Sequence, residues 1–170
     1  MDAKIYAVID TNVLVSALFS ISGNSNPSII IRKIIDGVIT PLYNEDILAE
    51  YEEVLNRDKF PFRKADIDWL ISAFLDYGIS LGRTAISDEI FIDKDDIVFY
   101  EVALSKEDSF LVTGNIRHFP KKPFIVTPAE MLTIIDEMEA GPGRILNEQF
   151  SQRNTFPEWK TSATRIFLIP

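Results

Sequence analysis

Short apolar runs alternate along this chain with longer segments whose apolar residues recur at helical spacing. That alternation constrains the fold more than any other feature. A strand followed by a helical crossover returns the next strand parallel to the last, and the helices must then cover the sheet. The pattern predicts an α/β fold built on a parallel sheet with both faces covered.

Ile5–Ile9 reads as the first strand, followed at once by a helix from about Asn12. Pro27 suits the first turn of a second helix, Ser28–Asp36, and Gly37 suits its end. Val38–Tyr43 is a second strand. Asn44 is placed to cap a helix reaching Asn56, with Ile47, Leu48, Tyr51, Val54 and Leu55 as its apolar stripe. A helix over Lys64–Tyr77 closes at Gly78, and 79–92 fits either a short strand or an irregular loop. Asp95 is placed to cap a helix over Asp96–Ser105 that is apolar nearly all round, which predicts deep packing. Ser109–Val112 and Phe124–Val126 are further strands. Pro128–Met138 is a last helix, with Met131, Leu132, Ile134, Ile135 and Met138 on one side.

Size and composition narrow the functional classes. A chain of 170 residues fits one domain, here expected over 1–139. A C-terminal extension, 140–170, begins at the breaker Gly141-Pro142-Gly143. It carries Phe150, Phe156, Trp159 and Phe167, suited to packing on the domain or to self-association as a homo-dimer. No apolar run is long enough to span a bilayer and no secretory signal is legible, so no membrane partner and a cytoplasmic location are expected. The absence of cysteine excludes disulfides, thiolate zinc sites and cysteine nucleophiles. A single histidine, His118, leaves little scope for a hydrolytic triad. The net charge of −9 speaks against broad, nonspecific nucleic-acid binding. Basic clusters at Arg57, Lys59, Arg63, Lys64 and at Arg117, His118, Lys121, Lys122 leave room for local phosphate contacts, or are simply solvated faces.

Acidic residues recur where ligands bind in open α/β sheets, just past the carboxyl ends of strands. Asp10 ends the first strand; it can cap the helix that follows or face the crevice. Glu50 falls about 40° outside Val54 on its helix, at the shoulder of the buried stripe, with Arg57 near the same shoulder. Asp93, Asp95 and Asp96 crowd the start of a helix. The macrodipole accounts for one acid there, and a bound cation would relieve the repulsion among the rest. Glu101 is a reserve candidate. Leu111-Val112-Thr113-Gly114-Asn115 ends another strand in small polar groups. Thr113 can orient a carboxylate or a water, and Asn115 can coordinate without adding charge. Hard divalent cations choose such oxygen ligands, and two of them can activate water and stabilise the leaving oxygen of a phosphodiester.

The stretches IDTNVLVSAL, LAEYEEVLNRDKF and DKDDIVFYEVALSKEDSFLVTGNIRHFP, in that order and spacing, resemble the PIN-domain ribonucleases, in particular the branch assigned as toxins of bacterial toxin–antitoxin systems. The resemblance covers about residues 4–135. It implies a compact three-layer α/β/α sandwich and Mg²⁺- or Mn²⁺-dependent hydrolysis of single-stranded RNA. It places the family's acids on Asp10, Glu50 and Asp96, which would hold the metal, with Asn12 and Asp95 in support and Thr113 as the conserved hydroxyl. The fourth acid of many members is Asn115 here, a departure that bears on a second metal. Arg57, Arg117 and Lys121 are the candidates for phosphate contacts, and His118 either touches RNA or packs against Phe119. A small antitoxin protein would be the expected partner. Two rivals remain. One is a catalytically weak PIN-fold module that binds RNA or a protein. The other is a haloacid-dehalogenase-like phosphatase, whose second aspartate would fall on Asn12.

Overall fold

A computed structural model describes residues 4–20 and 22–141. The alternation becomes, among the described residues, five strands and six α-helices. In chain order they are β1 (Ile5–Ile9), α1 (Thr11–Phe19), α2 (Asn26–Ile35), β2 (Ile39–Tyr43), α3 (Glu45–Leu55) and α4 (Lys64–Tyr77). Then come β3 (Ile79–Ser80), α5 (Asp96–Leu104), β4 (Ser109–Val112), β5 (Ile125–Val126) and α6 (Pro128–Glu139). The 79–92 stretch resolves the open choice both ways: a two-residue strand, then irregular chain. Of the proposed extension, residues 142–170 lie outside the described residues.

All strands pair in parallel, in the order β3-β2-β1-β4-β5. The chain therefore winds outward from β1 in one direction to β3, then crosses to β4 and winds the other way. The β1/β4 boundary is a topological switch point, where the connections leaving two neighbouring strands diverge and open a crevice. The register there sets Ile9 beside Val112, so Asp10 and Thr113 leave the sheet side by side. The Asp10 N–H still donates to the Val112 carbonyl at 2.9 Å.

The core explains why the strands are nearly unbroken apolar runs. Ala7, Val8, Ile9, Leu111 and Val112 are all fully buried between helices. The expected deep burial of α5 holds: every residue from Val98 to Ala103 is buried. Each large apolar side chain taken from water there contributes about 1.5–3 kcal/mol. On α6, Met131 and Ile135 are buried and Leu132 and Ile134 pack partly, whereas Met138 is exposed.

Local signals set the helix ends. Asn44 accepts from the Ile47 N–H at 2.9 Å at the start of α3. Thr127 and Glu130 form a reciprocal capping box on α6. Gly78 ends α4 because a Cβ there would sit 2.4 Å from the Phe74 carbonyl oxygen and 2.7 Å from that of Pro41. Asp95 corrects an expectation: it occupies the cap position of α5, yet its side chain makes no capping hydrogen bond. Its backbone is already helical, at φ −69° and ψ −24°, rather than extended as a capping residue requires, and its N–H donates to Asp93 Oδ1 at 3.0 Å. Asp10, likewise at the cap position of α1, closes no capping hydrogen bond.

Candidate active site

Three elements deliver carboxylates to one place. Asp10 arrives from the end of β1, Glu50 from the middle of α3, and Asp96 from the first turn of α5. All three line a single open cleft of about 300 Å³ at the switch point, with Asp93 and Asp95 on its wall. Val54 shares that wall with Glu50, as their one-turn spacing along α3 requires. Arg57 also lines it, but from just beyond the end of the helix, so helical spacing does not place it.

Asp10 is buried and held from two sides. Its Oδ2 accepts 2.7 Å bonds from Asn12 Nδ2 and from Thr113 Oγ1. Asn12 also accepts from the Gly114 N–H through Oδ1, at 2.8 Å. A Cβ on Gly114 would come within 3.1 Å of that oxygen, so the close approach depends on glycine. Burial pushes the Asp10 carboxyl above its ordinary value. The Thr113 hydroxyl, the Asn12 and Thr11 N–H groups nearby and His118 oppose that rise without cancelling it.

Glu50 accepts from Thr11 Oγ1 at 3.2 Å. Partial burial raises its carboxyl to about 6; the Thr11 hydroxyl lowers it, and the charges of Asp95, Asp10 and Asp96 raise it again. Asp96 is also raised to about 6, first by burial and then by Asp10, with His118 acting against both. Its Oδ2 is buried and has no hydrogen-bond partner. His118 Nδ1 stands 3.3 Å from that oxygen, an ion pair when the imidazole is protonated but too poorly directed to count as a hydrogen bond.

This arrangement fits a hard cation. The donors are all oxygen, they carry an excess of negative charge, and one buried oxygen lacks a partner. Among the described residues, no three acidic or imidazole side chains yet converge as a finished ligand set. The carboxylates have different local neighbours: Asp10 is held by Asn12 and Thr113, Glu50 by Thr11, and Asp96 stands beside His118 without a hydrogen bond.

Other predicted residues go elsewhere. Glu101 is not in the cleft. It is buried against Arg83, at 2.5 Å, and accepts from the Ser87 N–H at 2.9 Å. Burial pushes its carboxyl up, but Ser87 and Arg83 outweigh that and hold it below its ordinary value. Asn115 sits just outside the cleft lining; its N–H donates to Thr113 Oγ1 at 2.9 Å. Arg117 and Lys121 are exposed and also lie outside the lining. His118 faces Asp96 and the cleft rather than serving only as packing for Phe119.

Thr11 and Phe60 line the cleft without having been singled out from sequence, whereas Asp93, read there as one of three crowded acids, joins them. Thr11 carried a usable signal, a hydroxyl directly after the strand-terminal acid. Phe60 carried none, because its position depends on how the loop after α3 folds back.

A parallel sheet wound both ways from its first strand, with carboxylates lining the switch point, defines a class of open α/β proteins whose ligand crevice lies at the carboxyl ends of the strands. Within that class, the model of the PIN domain matches residues 6–117. The chain belongs to the PIN-domain family, whose members are generally metal-dependent nucleases acting on RNA. No curated protein and no solved structure matches it. Among the described residues, no helix is long and apolar enough to cross a membrane.

Proposed function

We propose that this chain is a Mg²⁺- or Mn²⁺-dependent endoribonuclease that cleaves single-stranded RNA, acting in the cytoplasm as the toxin of a toxin–antitoxin pair. The observation that carries the reading is that Asp10, Glu50 and Asp96, from three separate elements, line one open cleft, with Asp96 Oδ2 buried and without a hydrogen bond.

Asp10, Glu50 and Asp96 would hold the metal. When bound, it supplies the acidity that makes water a nucleophile and the charge that stabilises the leaving oxygen. Asn12 and Thr113 fix the orientation of Asp10, and Thr11 does the same for Glu50. Second-layer donors of this kind tune ligand basicity and geometry. Arg57, which lines the cleft and pairs with Glu53 at 3.0 Å, would meet a phosphate there. Arg117 and Lys121 would contact the strand beyond the cleft, and Asn115 would support as a neutral neighbour of Thr113. An antitoxin would reach the same acids with a cationic side chain, because the cleft carries more carboxylates than cations.

The second reading, a catalytically weak module that binds RNA or a protein, is favoured by the neutral Asn115. A phosphatase of the haloacid-dehalogenase type is disfavoured: Asn12 bonds through its carboxamide to Asp10 and Gly114, and an amide cannot serve as the general acid or base that chemistry needs. The deciding experiment incubates wild type and Asp10→Asn with single-stranded RNA, with and without Mn²⁺. Metal-dependent cleavage by wild type, lost in a folded Asp10→Asn, supports the enzyme. Equal cleavage by both would mark a contaminant. No cleavage by either, with no heat of Mn²⁺ binding, would leave the module.

A further inference from the structure

The cleft has an aromatic rim as well as an acidic floor. Phe60 lines it beside Arg57. Phe60 stacks on Phe62, with ring centres 5.2 Å apart and planes 14° apart. Phe19, at the end of α1, meets both rings edgewise at 5.8 and 4.8 Å. Phe19 remains 51% exposed. Its outer face is therefore open to a ligand beside the cleft, whereas the Tyr51, Phe74 and Phe99 cluster is buried completely.

The loop that carries Phe60 and Phe62 also carries cations, and most are already engaged. Arg57 is held by Glu53, Arg63 by Asp66, and Lys64 by Asp68. Lys59 makes no salt bridge among the described residues; its Nζ lies 5.0 Å from the centre of the Phe60 ring. Such a contact at an exposed position is weak, so the ammonium is free to move to a phosphate.

We propose that this rim is a base-stacking subsite for single-stranded RNA. An unpaired nucleobase beside the scissile phosphate lies against the Phe60 and Phe19 rings, and Lys59 takes the adjoining phosphate. The inference rests on the nuclease reading of the acidic cleft and adds how the strand is held there. A net charge of −9 and a floor of carboxylates offer a polyanion little long-range attraction. A term that does not depend on charge would then add to the few local phosphate contacts. Stacking supplies it, tolerates any base, and requires that the base be unpaired.

The test uses the full chain carrying Asp10→Asn, so that the strand stays intact. Single-stranded oligoribonucleotides carry one 2-aminopurine, or one abasic site, moved along the sequence. At one position, binding should quench 2-aminopurine fluorescence, and the abasic site should weaken binding roughly 5- to 150-fold. Phe60→Leu, added to the same chain and shown folded by circular dichroism, should lose both effects. Phe60→Tyr should keep both. If no abasic position matters, and Phe60→Leu and Phe19→Leu bind RNA as tightly as their parent, stacking is wrong while the nuclease reading stands. If no oligoribonucleotide binds and the wild type cleaves none, the reading of the cleft fails and takes the subsite with it. If Phe60→Leu converts a dimer to a monomer with RNA binding unchanged, the rim is a self-association surface and the proposal is overturned.

Discussion

The Tyr51 hydroxyl donates to the carbonyl oxygen of Ile9, the residue before Asp10. Tyr51 directly follows Glu50 on α3, so this one buried bond ties the helix that carries one acid to the strand end that carries another. The phenol is completely buried, and burial pushes its pKa well above the ordinary value, with Asp10 and Glu50 adding to the rise. It stays protonated and remains a donor.

Tyr51→Phe should therefore do two separable things. Loss of the bond, with an orphaned carbonyl, should cost about 1–3 kcal/mol, seen as a lower denaturant midpoint with an unchanged slope. Glu50 should also lose its register against Asp10, so Mn²⁺ affinity measured on the folded fraction should fall. An unchanged Mn²⁺ affinity would show that packing alone aligns the two acids.

Thr113→Val keeps the shape and removes the hydroxyl that Asp10 Oδ2, Asn12 Nδ2 and the Asn115 N–H share. Without its strongest opposing interaction, the Asp10 carboxyl should rise further. We expect divalent-metal affinity, measured by calorimetry, to drop about 10- to 100-fold. Part of the loss should return at higher pH, and Thr113→Ser should restore most of it.

Glu50 and Asp96 make a pH signature in the metal-free protein. Both carboxyls are raised to about 6 in the fold, from 4.5 and 3.8. Between about pH 4 and 6 the folded state therefore holds more protons than the unfolded chain. Folding stability should fall as pH rises through that window. Glu50→Gln removes one of the two groups and should flatten the slope in a series of thermal melts. Added Mn²⁺ should bind more tightly as pH passes 6, since its ligands must first ionise. A Glu50→Gln profile identical to wild type would show that Glu50 does not contribute.

Glu101→Ala separates a structural acid from the cleft acids. It leaves Arg83 and the Ser87 N–H without their shared partner. The expected cost is about 2–4 kcal/mol, moderated because Arg83 is partly exposed. Mn²⁺ affinity of the folded protein should not change. A loss of affinity matching that of Asp96→Asn would place Glu101 among the metal-binding acids after all.

Much of the scaffold was legible because its causes are local. Strand β1 follows from five consecutive apolar residues, α3 from an asparagine cap and a 3.6-residue stripe, and α6 from apolar residues recurring on one side after Pro128. Asp10, at the boundary of two apolar segments, marked itself as the acid at a sheet edge. The one-face relation of Glu50 and Val54 also follows from helix geometry alone, whereas Arg57 reaches the same wall from the turn beyond α3.

Which acids meet was decided by tertiary structure. Asp96 and Glu101 lie on the same helix, yet one faces the cleft and the other closes on Arg83. The difference depends on how α5 seats against the sheet and on where the 79–92 chain passes. His118 against Asp96, Thr11 under Glu50 and Phe60 on the cleft wall are likewise contacts between distant segments. Local periodicity determines which face of an element is apolar. Only strand order and crossovers determine what that element's other face will meet.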